Sequence, residues 1–321
     1  MLKNLKIENS LKIKNCKLKI AVSICLFAYL LILAFVVPAA KAQTTGITVT
    51  PSIAHLDLAT DAPEYELTYA NNTKSEINLV LSVQDFTELE DSYKIDFLTG
   101  KDSANYKYSL SSWISFENKN LDLAPGEKKS VKVFIDKNRI TKGGHYASIL
   151  AEIQAPENQQ QVNIKAVLSS LLFVRASTGK EIEEGKIDTF EPLRDGIDYP
   201  DTYILRFKNS GNVHVIPYGL IQVFDPLGNL VTKGALNDNS LDALPESIRR
   251  YDTNVTTYQK ILLPGIYTAK IDLHFGKTNQ KLSMTIKFFS QGMFNFIKIG
   301  LALVIILLVL LYLRKRIIKK S

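Results

Sequence analysis

Four histidines, His55, His145, His214 and His274, are the residues of this 321-residue chain whose type best suits metal ligation or proton transfer. None stands in a His-x-His or His-Glu-x-x-His arrangement, and each lies on or beside an expected strand. Spacing therefore gives zinc ligation no support, and the four read as surface or strand-end residues. Glu181, Glu183 and Glu184 read as a solvated linker, because no calcium loop of alternating Asp and Asn ending in Glu is present. No Gly-x-Ser-x-Gly elbow, phosphate loop or dinucleotide fingerprint occurs. The chain thus nominates no catalytic, cofactor-binding or metal-binding residue, implies no cofactor, and leaves the binding residues unassigned. Its many acids could still form a carboxylate pair for glycan chemistry, which sequence cannot place in space.

The other conspicuous residues have structural readings. Gly143-Gly144, Asn209-Ser-Gly211-Asn and Pro264-Gly265 suit tight turns. Trp113, the single tryptophan, is expected as a plug between sheets in preference to an exposed sugar platform. Asn71-Asn-Thr73 and Asn254-Val-Thr256 match the glycosylation sequon, a short motif that arises readily by chance.

The elements that must carry these residues are strands. Between 43 and 292 the apolar pattern has period two, as in Tyr65-Glu-Leu67-Thr-Tyr69, Val131-Lys-Val133-Phe-Ile135 and Ile271-Asp-Leu273-His-Phe275. An internal repeat strengthens this. Tyr65 to Asn71 matches Tyr203 to Asn209, Leu123-Ala-Pro125 matches Leu244-Pro245, and Gly143-Gly144-His-Tyr146 matches Pro264-Gly265-Ile-Tyr267. The expected fold class is all-β, with two tandem immunoglobulin-like β-sandwich domains over 46–175 and 182–289.

The ends differ from the middle. Of the 39 Lys and Arg, seven fall in 1–42 and six in 293–321, leaving 26 against 31 acids in between. The middle is mildly acidic, so a nucleic-acid partner is not expected. Residues 1–42 have the layout of a signal peptide: a Lys-rich start, an apolar run from Ile20 to Val37, and small residues at Ala40 and Ala42. Cleavage is expected between Ala42 and Gln43. Both cysteines, Cys16 and Cys25, lie in that segment, so the remainder must fold without a disulfide. Residues 294–313 are expected to form one transmembrane helix, with 314–321 as a basic cytoplasmic tail. The expectation is a single-pass type I membrane protein with residues 43–292 extracellular.

This order of segments resembles the WxL-interacting proteins of Gram-positive bacteria. The likeness rests on Pro51, Asn71-Asn72, Val83-Gln-Asp85-Phe86, Trp113-Ile114, Leu123-Ala-Pro-Gly126-Glu and Gly143-Gly-His-Tyr146-Ala in the first domain. In the second it rests on Asn209, Pro245 and Gly265-x-Tyr267. The resemblance implies a peptidoglycan-binding first domain, a partner-binding second domain and a non-enzymatic role. Cell-wall polymer (peptidoglycan), a secreted surface protein, or both would be the partners, with the membrane engaged through the C-terminal helix. Two alternatives stand beside it: a pilus or surface-assembly chaperone with two Ig-like domains, and a surface enzyme acting on glycan.

Overall fold

The computed structural model describes residues 46–89, 91–92, 94–154, 166–194, 196, 198–258, 263–292 and 294–318, with side chains of the last helix described from 298 to 312. Residues 1–42, with the expected cleavage between Ala42 and Gln43, lie outside the described residues, as does the end of the basic tail.

Among the described residues, the stretch from 46 to 290 is all-β apart from one short helix, α1 (Gly100–Asn105), and two 3-10 turns. In the first half, one sheet has the order β1-β3-β8-β6: β1 (Ile47–Thr50), β3 (Glu64–Asn71), β8 (Lys128–Ile135) and β6 (Ile114–Phe116). The facing sheet runs β2-β10-β9-β4-β5, with β7 also on β4. Its strands are β2 (Ile53–Asp57), β10 (Val167–Arg175), β9 (Gly144–Gln154), β4 (Ile77–Glu88), β5 (Ile95–Phe97) and β7 (Asn120–Leu123). The chain passes from one sheet to the other between β1 and β2, at the cis Thr50–Pro51 bond.

Strand alternation builds the core. Leu67, Tyr69, Val131 and Val133 face Leu79, Leu81, Ile149 and Ala151 across the gap between the sheets. Each such side chain contributes about 1.5–3 kcal/mol on removal from water.

The second half repeats the plan. A three-stranded sheet, β11 (Gly185–Leu193), β12 (Thr202–Asn209) and β15 (Ile248–Asn254), packs on a five-stranded one. That sheet has the order β16-β14-β13-β17-β18: β16 (Thr256–Thr257), β14 (Leu230–Leu236), β13 (Tyr218–Phe224), β17 (Gly265–Phe275) and β18 (Gln280–Ser290). Tyr203, Leu205 and Phe207 of the smaller sheet meet Tyr267, Ala269 and Ile271 of the larger.

A final helix, α2 (Phe294–Ile318), occupies the place of the expected span, and its described side chains from Ile299 to Tyr312 are largely apolar and exposed. Among the described residues, however, no helix is long and apolar enough to cross a membrane. The expected transmembrane helix over 294–313 is corrected accordingly. With it go the membrane as a partner, the type I topology and the placement of 43–292 outside a cell membrane.

Candidate functional site

The two sandwiches meet end to end, and the chemistry that sequence spacing scattered is collected at their junction. Phe86, Tyr146 and Phe173 from the first half form one buried cluster with Tyr108 and with Leu244 from the second half. Beside it, Glu88 at the end of β4 and Arg249 on β15 form a buried ion pair at 2.6 Å. Glu88 also accepts from the Leu244 amide and the Ser247 hydroxyl. Burial pushes the Glu88 carboxyl up, against the pull of Arg249 and these donors.

A second ion pair closes the linker side. Arg175, the last residue of β10, donates to Glu183 at 2.6 Å. Glu183 in turn accepts from the amides of Lys277 and Thr278 in the β17–β18 turn. Its carboxyl is 5 % exposed, so Glu183 is a buried strut and not the solvated linker residue expected. Burial would raise its pKa, but the Lys277 amide and Arg175 hold it below the ordinary range. Glu181 folds the linker on itself by accepting from the amides of Thr178 and Gly179.

Three residues from distant parts of the chain converge here. His55 on β2 donates through Nε2 to Asp242 Oδ2 at 2.9 Å, 187 positions away. His214, in the loop after β12, lies with its ring centroid 5.6 Å from that of His55. One ligand atom from each of His55, His214 and Asp242 falls within 4.8 Å of the others. Phe173 stacks on His55 and meets His214 edge-on, walling the group on its inner side. Tyr146 fixes His214 by accepting from its backbone amide at 2.8 Å. Burial holds the His214 imidazole neutral, its pKa down to about 4. The hydrogen bond to Asp242 raises that of His55, against partial burial. The Asp242 side chain is buried, and its Oδ1 has no hydrogen-bond partner among the described residues.

His55 and His214 border a cleft of about 490 Å³ between the sandwiches. Leu56, Val215, Ile216 and Tyr218 supply its apolar walls, and Asp57, Arg175, Glu183 and Lys277 its charges. Asp57 and Lys277 are ion-paired across it.

The same edge of the first sandwich has a second feature. Strand β10 pairs with β9 along its whole length, from Val167 opposite Glu152 to Arg175 opposite Gly144. On its other side, parallel β2 covers only Leu171 to Arg175. Leu171 donates its amide across this edge to Ser52. By strand alternation the amides of Val167 and Ser169 point the same way, along the part of the strand that β2 leaves uncovered. Val167 is exposed there. The two edges β11 and β18 of the second sandwich are guarded: β11 carries Pro192 and a bulge between Ile187 and Thr189, and Lys281 and Lys287 stand exposed on β18.

The remaining singled-out residues serve the scaffold. His145 is buried, its Nδ1 3.2 Å from the Ser109 carbonyl, with desolvation depressing its pKa. His274 bonds Asn279 and stacks on Tyr218. Trp113 is half-buried against the Leu110–Leu172 cluster, its ring 4.4 Å from that of His145, so it is neither a full plug nor a free platform. The His55–His214–Asp242 trio was invisible to spacing because its members come from β2 and from two loops of the other sandwich.

Comparison with known proteins returns no matching family model and no matching curated protein. The WxL-interacting resemblance therefore has no support from either, and with it falls the peptidoglycan partner. The solved structures similar to the chain are fimbrial chaperones instead. A chaperone–tip adhesin complex of CFA/I fimbriae biogenesis is 12% identical, covering 75% of this chain and 98% of that one, at a TM-score of 0.41. The class 5 fimbriae chaperone CfaA is 11% identical, with 75% and 98% covered, at 0.39. The E. coli chaperone DraB is 10% identical, with 77% and 98% covered, at 0.37.

Proposed function

We propose that this chain is a non-enzymatic assembly-chaperone-like protein whose two Ig-like sandwiches hold an extended segment of another protein by strand addition. The observation that carries the reading is the half-covered edge of β10, where, among the described residues, Val167 to Ser170 have a paired strand on one side only. An incoming strand would find outward amides at Val167 and Ser169 and apolar contact at Val167 and Leu168, the combination that strand addition needs. The fixed junction supports it. A buried ion pair, a shared aromatic cluster and the Tyr146–His214 bond hold the sandwiches in one relation, so a segment leaving the β10 edge toward β2 is delivered to the cleft. A catalytic reading has no comparable support, since Arg175 with Glu183 and Lys277 with Asp57 in the cleft are engaged in ion pairs.

The test uses Val167→Pro. Proline at the first residue of a strand removes an outward amide and leaves the β9 pairing intact. With the chain expressed alongside the strand-rich surface subunits of its host, one subunit should co-purify with the unaltered chain. Amide exchange at Val167 to Ser170 should slow in that complex. Val167→Pro should abolish co-purification with unchanged circular dichroism. Retained binding by Val167→Pro, or unprotected amides in the complex, would refute the reading.

A further inference from the structure

We propose that His55, His214 and Asp242 form a binding site for a late first-row divalent cation of the Zn²⁺ class, placed across the junction of the two sandwiches. The donor set is two imidazole nitrogens and one carboxylate oxygen, which suits zinc and its neighbours and not the all-oxygen preference of Mg²⁺ or Ca²⁺. One donor atom from each residue already lies within 4.8 Å of the others. Tetrahedral zinc at about 2.0–2.1 Å from each ligand brings donors to roughly 3.3 Å apart, so the contraction needed is small.

An independent observation points to a ligand. Asp242 is buried, yet its Oδ1 has no hydrogen-bond partner among the described residues. A buried carboxylate oxygen left unpaired is costly, and a cation beside it removes that cost. The Asp242 side chain is held by its Oδ2 bond to His55, and its main chain by the bond from the buried Arg249 to the Asp242 carbonyl.

The surroundings supply what a metal site requires beyond its ligands. The Tyr146 hydroxyl lies 3.3 Å from His214 Nδ1 and accepts from the His214 amide, an outer partner that orients the ring. Phe173 lies against both imidazoles and dries the inner side. His55 is 42% exposed on the cleft side, which gives an entry path and leaves a fourth position open to water or to a bound segment. On binding, the ion takes the place of the proton shared by His55 Nε2 and Asp242 Oδ2, and that proton leaves to solvent. The ligands come from both sandwiches, so the ion would pin the junction as well as fill it. This inference does not depend on strand addition at β10.

The test uses the full chain without an affinity tag, stripped by chelator and titrated with Zn²⁺ against a chromophoric competitor. One equivalent is expected, uncontested by Mg²⁺ or Ca²⁺. Co²⁺ in its place should give the visible absorption of a tetrahedral site. His55→Ala and Asp242→Asn should each weaken zinc at least about tenfold and remove the Co²⁺ band. His55 lies on an exposed strand face, so His55→Ala keeps the test decisive if Asp242→Asn fails to fold. Absence of binding at 100-fold excess of zinc over protein, or one equivalent bound equally well by His55→Ala, would overturn the proposal.

Discussion

Asn71 and Asn209 hold the same position in the two sandwiches and make the same bonds. Each ends its strand, and each donates Nδ2 to the carbonyl four residues on, Ser75 or Val213. Each also donates to the carbonyl two residues before a proline, Leu123 or Ala243, ahead of Pro125 and Pro245. Each accepts at Oδ1 from the amide two residues on, and each main-chain amide donates to the residue two beyond the proline, Glu127 or Ser247. One amide side chain thus ties a strand end to its own turn and to a distant proline turn. Replacing either by Ala strands buried carbonyls and an amide, and should cost about 2–4 kcal/mol in denaturant unfolding. Asn71→Asp should recover little, because its carboxylate cannot donate.

The ion pair between Glu88 and Arg249 predicts an asymmetric double-mutant cycle. Either Glu88→Leu or Arg249→Met alone leaves a buried group without its charge partner. Each should destabilise by about 3–5 kcal/mol. The pair Glu88→Leu with Arg249→Met should be less damaging than the sum of its parts. Equilibrium unfolding of the four proteins gives the coupling directly.

Asp85 predicts a pH dependence. Burial would raise its carboxyl, but the hydroxyls of Ser103 and Ser109 and the amides of Leu110 and Ser111 hold it below the usual range. The unfolded chain therefore binds this proton more readily than the folded one. The stabilisation is complete above the unfolded carboxyl pKa, about 3.9, and is lost as pH falls through the lower folded value. Asp85→Asn should lower stability by about 1–3 kcal/mol at pH 7. Unfolding curves of the two proteins should converge as the pH falls below about 4.

Gly143 predicts a steric test of the junction. Its φ is +102°, and a Cβ there would lie 2.6 Å from the Asn212 carbonyl oxygen of the other sandwich. Both the backbone conformation and the contact exclude a side chain. Gly143→Ala should cost about 2–4 kcal/mol, whereas Gly179→Ala, with open space around its Cβ, should cost only the positive-φ strain of about 1–2 kcal/mol. Thermal unfolding of both variants separates the two terms.

The strands were legible because period-two alternation and the repeated Asn, Pro and Tyr positions are local signals. Asn71 and Asn209 were matched as strand ends, although nothing local shows that their amides bind proline turns 52 and 34 residues away. The junction was not legible. His55 and Glu183 read as surface and linker residues, since the partners that engage them, Asp242 and the Lys277 and Thr278 amides, come from the second sandwich. The apolar end segment invites a span on composition alone, yet among the described residues no helix is long and apolar enough to cross a membrane.

The repeat diverges at one position in a way that bears on how the chain is made. Tyr267 returns its hydroxyl to the Leu263 carbonyl within its own sandwich, while the matching Tyr146 accepts from His214 in the other. The second half can thus close its corner alone, and the first cannot. As the ribosome advances, the first half emerges with Phe86, Phe173 and the Tyr146 hydroxyl still bare, and waits for the loop at His214 and the turn at Leu244 to arrive. Nascent chains halted before residue 214 should therefore be sticky toward trigger-type holdases, and those halted well past 290 should not.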